Sequence, residues 1–258
     1  DAKRNILKFQ TSSDFAIINK DYPASQGSDI LTPGKVFQVS REREVDNGSF
    51  VKENSVWINR DGKKEKIIDI SKIKLLGRHN LENVCAASMA ASLAGVSKAN
   101  IAKVLEEFGG LKHRLEFVGE KNGILFYNDS LATVPEAAVE AMEALPEAQT
   151  LIAGGHDRGL DYSPLAKYLI NGQIKTLILF PPTGERIWKA ICEVVSKENR
   201  PEKFDVTSME QAVRIAAAKT ATHKICLLSP ASASFGTFKD YKDRGEQFKR
   251  KVASLMSS

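Results

Sequence analysis

Thr150-Leu151-Ile152-Ala153-Gly154-Gly155-His156-Asp157-Arg158-Gly159 decides the fold of the second half of this chain. Four residues dominated by apolar side chains read as a buried strand, and the glycine pair that ends it reads as a turn in which the backbone can approach a ligand closely. Arg158 then offers a planar fork suited to a carboxylate. The same pattern recurs on either side. Strands are expected near 114–119, 123–128, 175–180, 203–206 and 224–228, with helices near 135–145, 162–171, 184–197, 208–219 and 238–255. Strands without polar alternation, separated by amphipathic helices, predict a mostly parallel sheet covered on both faces, a doubly wound α/β domain. In such sheets ligands bind beyond the carboxyl ends of the strands.

Upstream the pattern differs. Phe15–Asn19, Val36–Val39, Val56–Asn59 and Lys66–Ile70 read as short strands, the last two flanking the turn signal Arg60-Asp61-Gly62. A helix dense in small residues is expected from Asn80 to about Gly95, and another from Lys98 to Phe108, ended by Gly109-Gly110 as cap and hinge. The chain therefore divides into 1–110 and 111–258.

Composition bounds the function class without choosing it. The chain has 258 residues, 42% hydrophobic and 27% charged, as expected of a globular protein with a real core. No apolar run approaches the roughly 18 residues of a membrane span, and the first residues lack a secretory signal's apolar stretch, so a cytoplasmic location is expected. Cys85, Cys192 and Cys226 are odd in number and far apart, which argues against disulfides or a zinc site. The net charge of +5 suits an anionic ligand, but the basic residues are scattered and no nucleic-acid surface is expected.

Four clusters fall at loops or strand ends: Lys112-His113-Arg114, Asn128-Asp129-Ser130, Gly154–Gly159 and Ser229-Pro-Ala-Ser-Ala-Ser234. Together they make a credible anion site. Taken singly, Asn-Asp-Ser and Gly-Gly-His-Asp are also ordinary turn chemistry, and a serine-rich loop is as often a helix cap. A hydrolase triad of Ser234, His156 and Asp129 is disfavoured by the lack of a Gly-x-Ser-x-Gly elbow. At their spacing Phe235, Phe238 and Tyr241 read as helix-core residues.

In order and spacing, five stretches resemble the Mur ligase family: Gly77-Arg78-His79-Asn80-Leu81-Glu82-Asn83, Gly110–Glu116, Asn128-Asp129-Ser130-x-Ala132-Thr133, Gly154-Gly155-x-Asp157-Arg158-Gly159, and Leu228-Ser229-Pro230-Ala231-x-Ala233-Ser234-Phe235 followed by Arg244-Gly245-x-x-Phe248. The first two are shared with folylpolyglutamate synthases; the last is more particular to the D-glutamate-adding branch. The resemblance implies a C-terminal Rossmann-like domain over 111–258, preceded over 1–110 by the end of a P-loop ATPase domain whose G-x-x-x-x-G-K-[ST] loop is not in this sequence. The chain is therefore expected to be inactive alone. The implied reaction is ATP- and Mg²⁺-dependent ligation of D-glutamate to UDP-N-acetylmuramoyl-L-alanine through an acyl phosphate, by a monomer acting on small molecules.

The resemblance assigns Lys3, His113 and Arg114 to catalysis, with Lys3 as the carbamylated Mg²⁺ ligand. It puts Asn80, Asn83, Arg114 and Asp129 at ATP, and Thr133, Arg158, Ser234, Phe235 and Tyr241 at D-glutamate. The sequence departs from the family pattern at Leu131 and Arg158, both commonly lysine, at Tyr241, commonly phenylalanine, and at Gly236, commonly aspartate. Leu131 removes a cation, whereas Arg158 keeps one and can grip a carboxylate with two parallel hydrogen bonds. The alternatives are another amide ligase of the Mur and folylpolyglutamate type, or a non-catalytic amino-acid- or nucleotide-binding module.

Overall fold

The computed structural model describes residues 4–256 and falls into two compact units, 1–109 and 110–258. Two short helices, α1 (Asn5–Lys8) and α2 (Pro23–Gln26), flank the first strand of unit 1. Its sheet has the order β1 (Phe15–Asn19), β2 (Lys35–Ser40), β3 (Gly48–Lys52), β4 (Ser55–Arg60), β5 (Lys63–Asp69). The first three strands are parallel, and β3, β4 and β5 run as antiparallel hairpins. Strand β3 is absent from the sequence reading, because Gly48-Ser49 opens it with turn-forming residues.

Helices α3 (Asn80–Leu93) and α4 (Lys98–Glu107) supply the other side of this core. Val84, Cys85 and Met89 of α3 and Ile101 and Leu105 of α4 pack with Phe37, Val39, Val56, Ile58 and Ile68. The Ser97 hydroxyl caps α4 by accepting from the Asn100 N–H, a bond of the kind that contributes about 1 kcal/mol.

Unit 2 has six strands in the order β10 (Glu202–Asp205), β9 (Thr176–Phe180), β8 (Ala148–Gly154), β11 (Ile225–Leu228), β7 (Ile124–Asn128), β6 (Glu116–Lys121). All neighbours are parallel except the β6–β7 hairpin. Its helices are α5 (Pro135–Ala144), α6 (Ser163–Leu169), α7 (Thr183–Val194), α8 (Met209–Lys219) and α9 (Tyr241–Met256). Successive strand residues point to opposite faces, so one strand feeds two cores. Leu151, Leu177 and Leu227 pack with α5, α6 and α7, while Ile152, Ile178 and Cys226 pack with α8 and α9. This is why the strands read as apolar throughout, and it is the doubly wound architecture the sequence predicts.

Two boundaries differ from expectation for a local reason. Strand β6 begins at Glu116 rather than 114, since His113 and Leu115 adopt left-handed backbone angles, φ 66° and 46°. Helix α9 begins at Tyr241 rather than 238, leaving Phe235 and Phe238 on a loop. Phe238 is buried, but Phe235 is 56% exposed, so the helix-core reading of these aromatics fails for Phe235. No helix among the described residues is long and apolar enough to cross a membrane.

Candidate functional site

Strands β8, β11 and β7 are adjacent and parallel, so their carboxyl ends bring three loops side by side. Backbone hydrogen bonds hold the loops together: Asp129 N–H to Leu228 O (2.8 Å), Ser229 N–H to Ile152 O (3.1 Å), Gly154 N–H to Pro230 O (2.8 Å) and His156 N–H to Ala233 O (2.8 Å). At Gly155 (φ 146°) a Cβ would lie 2.3 Å from Ala233 O, so only glycine permits this approach. The Thr183 hydroxyl, at the start of α7, accepts from Gly155 N–H (2.8 Å) and donates to Gly155 O (2.9 Å).

Asp129 sits at the centre and is 5% exposed. Burial pushes its carboxyl up to about 7, against the pull of the Ser229 hydroxyl, the Leu115 N–H and the nearby Arg114 charge. Oδ2 accepts from Ser229 Oγ (2.8 Å) and Oδ1 from Leu115 N–H (3.3 Å).

Beside it lies Arg244, fully buried. Its Nε donates to Ser130 Oγ (3.0 Å), Nη2 to Ser130 O (2.8 Å) and Nη1 to Ser232 O (3.0 Å). Burial lowers its guanidinium to about 9, so it stays charged at neutral pH. The Ser232 hydroxyl meets the hydroxyls of Tyr162 (2.8 Å) and Thr183 (2.9 Å), and Ser130 Oγ donates to Tyr241 O (2.8 Å).

His113, although flanked by polar residues in sequence, is 5% exposed. Asn128 Nδ2 donates to its Nδ1 (2.9 Å) and to Glu116 Oε2 (3.0 Å), and the same Glu116 oxygen accepts from His113 N–H (2.9 Å). Burial lowers the imidazole's pKa, against the pull of Glu116, favouring a neutral ring that accepts at Nδ1. Gly245 lets α9 pack here, since a Cβ at that position would lie 2.2 Å from His113 Nδ1. The Arg244-Gly245 pair thus has a physical account: one side chain reaches into the loops, and the missing one makes room for the imidazole.

The remaining candidates are divided between surface and interior. Arg114 and Arg158 are exposed, and Arg158 bonds to none of the described residues. Its loop is pinned by Asp157, which accepts from Gly159 N–H (2.8 Å) and pairs with Arg186. Thr133 is half-buried, Ser234 is buried, and Phe235 sets its ring edge-to-face on His156, centroids 6.0 Å apart. Tyr241 meets His113 in the same geometry at 6.0 Å. Leu131, where the resembling family commonly carries lysine, is half-buried.

In unit 1, Asn80 and Asn83 share one face at the start of α3, joined by Asn83 Nδ2 to Asn80 Oδ1 (3.1 Å). Asn80 is buried and donates to Leu76 O (2.7 Å), while Asn83 is exposed. Lys3 lies outside the described residues. No group of three or more His, Cys, Asp or Glu that could hold a metal ion exists among the described residues. Arg244 and Ser232 are parts of the site to which the sequence reading gave no role. Their signal was present in the motif, but nothing local says that an arginine in an amphipathic helix turns inward.

The family model described as "Mur ligase middle domain" matches residues 1–91, and the model "Mur ligase, glutamate ligase domain" matches 113–232. A UDP-N-acetylmuramoylalanine--D-glutamate ligase of Thermoanaerobacter sp. (strain X514) is 39% identical over 257 residues, 99% of this chain and 56% of the relative. The enzyme of that name from Bacillus thuringiensis (strain Al Hakam) is 36% identical, over 99% of this chain and 54% of the relative. The chain spans about half the length of the curated relatives it matches. Among solved structures, MurF from Acinetobacter baumannii superposes with a TM-score of 0.68 at 17% identity, covering 100% of this chain and 55% of that one. A MurF ligase from Thermotoga maritima in complex with ADP gives 0.62 at 16%, covering 98% and 57%. At these identities the structures speak for the fold.

Proposed function

The chain belongs to the Mur ligase family, and from that premise we propose that it serves the ATP-dependent joining of D-glutamate to UDP-N-acetylmuramoyl-L-alanine in peptidoglycan synthesis. The observation that carries this reading is the convergence of three loops at the carboxyl ends of β7, β8 and β11, with an exposed arginine that bonds to none of the described residues on one of them and buried hydroxyls on the others. D-glutamate offers two carboxylates and an amine. Arg158 grips one carboxylate through its fork, while the hydroxyls of Thr133 and Ser234 bond its oxygens and Phe235 and Tyr241 cover the aliphatic stem.

Phosphorylation of the acceptor carboxylate by ATP gives an acyl phosphate, and the positioned amine displaces the phosphate. The residues proposed for ATP are Asn80, Asn83, Arg114 and Asp129. His113 acts on the reaction by bracing the turn that carries Arg114. Mg²⁺ would supply charge neutralisation when bound, with Lys3 as its proposed ligand. The proposed setting is the cytoplasm, with a monomer acting on small molecules.

The test is D-glutamate-dependent phosphate release by the protein in its full natural length, wild type against Arg158→Ala. The variant is expected to raise the KM for D-glutamate by about tenfold or more, with the KM for ATP little changed. Turnover with folate or a different amino acid, and none with D-glutamate, would discard this branch of the family.

A further inference from the structure

The loops that carry the proposed amino-acid contacts share a single buried organiser, and it touches none of the exposed candidates. Arg244 bonds the β7 loop through Ser130 Oγ and Ser130 O, and the β11 loop through Ser232 O. It also reaches the β8 loop: a Cβ built on Gly155 would stand 3.3 Å from its Nη1. The connection continues through side chains. Ser232 Oγ contacts Thr183 Oγ1, which bonds both the N–H and the carbonyl of Gly155, three residues before Arg158.

The hydrogen bonds of Arg244 go to two carbonyls and a hydroxyl, and the neighbouring Asp129 acts on it through charge without a hydrogen bond among the described residues. A buried charge spent on neutral acceptors is a poor stabiliser of a fold. It is well suited to fixing geometry, because a planar guanidinium sets the directions of several bonds at once. A lysine ammonium in its place lacks the fork needed to hold two separate loops in one plane.

We propose that Arg244 is a positioning residue that holds the loops after β7, β8 and β11 in the register that presents Thr133, Arg158 and Ser234 to one amino-acid substrate. This deepens the function proposed above and rests on reading these loops as the amino-acid site. Ser130 links the same node to the first residue of α9, through its bond to Tyr241 O. The guanidinium therefore ties its own helix start to the loops as well.

The experiment compares wild type, Arg244→Lys and Arg244→Met in the full-length protein, measuring thermal unfolding, kcat, and the KM values for ATP and for the amino acid. Folded variants are expected to show the amino-acid KM raised by about tenfold or more, with kcat and the ATP KM within about threefold, and lysine no better than methionine. An unchanged amino-acid KM, or a loss confined to kcat, would overturn the proposal. If the variants unfold too readily for kinetics, hydrogen exchange on Arg244→Lys decides. Faster exchange at Ser130, Gly155 and Ser229–Ser234, with β7, β8 and β11 still protected, supports the role, and unchanged loops refute it. Wild-type turnover of a different amino acid sinks the D-glutamate reading alone, and the KM comparison is then made with that amino acid.

Discussion

The candidate site has two regions built on opposite principles. In the buried region Asp129, Ser130, Ser232, Arg244 and His113 bond to one another or to backbone and are closed to solvent. In the exposed region Arg114, Arg158 and Phe235 stand in solvent, and Arg158 has no bond to the described residues. Polar groups that are satisfied internally define where the loops lie, and groups left open define what the loops can receive. A substitution in the second region should therefore be read in ligand affinity alone, and one in the first in stability and, where the residue holds loops that carry contacts, in affinity as well.

The largest effect expected from that contrast is a pH dependence. Asp129 has a folded pKa of about 7 against an ordinary value of 3.8, because burial penalises the carboxylate. The folded state holds this proton more tightly than the unfolded chain does. Its contribution is thus most favourable below pH 4, is lost as pH rises through 7, and is flat beyond. Each tenfold difference in proton affinity between the folded and unfolded states is worth about 1.4 kcal/mol, so the loss is roughly 4 kcal/mol. An asparagine can accept from Leu115 N–H through Oδ1 and donate from Nδ2 to the Ser229 hydroxyl without titrating, so Asp129→Asn should flatten the fall in urea midpoint between pH 4 and pH 7. Equal slopes for the two proteins would mean that Asp129 is charged throughout and that the buried region is wetter than its packing implies.

Next in size is Gly245→Ala. The new methyl would meet His113 Nδ1 at 2.2 Å, and the imidazole is itself held by Asn128. A loss of about 2–3 kcal/mol is expected, as for overpacking in a close-packed core, visible as a lower unfolding midpoint of unit 2. A loss under about 0.5 kcal/mol would show that the histidine can step aside, and would weaken the case for a rigid brace behind Arg114.

The smallest effect sharpens the contrast from the other side. Arg158→Ala should leave the urea midpoint within about 0.5 kcal/mol of wild type, since the side chain is exposed and bonded to none of the described residues. A clear destabilisation would move Arg158 out of the receptive region and into the structural one.

Much of this was legible in the chain. The apolar runs 150–153, 175–180 and 224–228 and the glycines after the first of them determined a two-faced parallel sheet with loops at its carboxyl edge. Periodicity and turn chemistry are local properties and need no knowledge of neighbours. Strand β3 escaped because Gly48-Ser49 carries a turn signal, yet Gly48 pairs with Gln38 on one side and Asn59 on the other. What only the tertiary structure decided was the inventory of buried polar groups. Nothing in Tyr241-Lys-Asp-Arg-Gly-Glu246 states that Arg244 turns inward to Ser130 and Ser232, more than ten residues away in one case and more than a hundred in the other. That choice depends on three strands from distant parts of the sequence ending side by side. A buried guanidinium is tolerated only where several carbonyl and hydroxyl oxygens already converge, and their convergence is a property of the sheet order rather than of any segment.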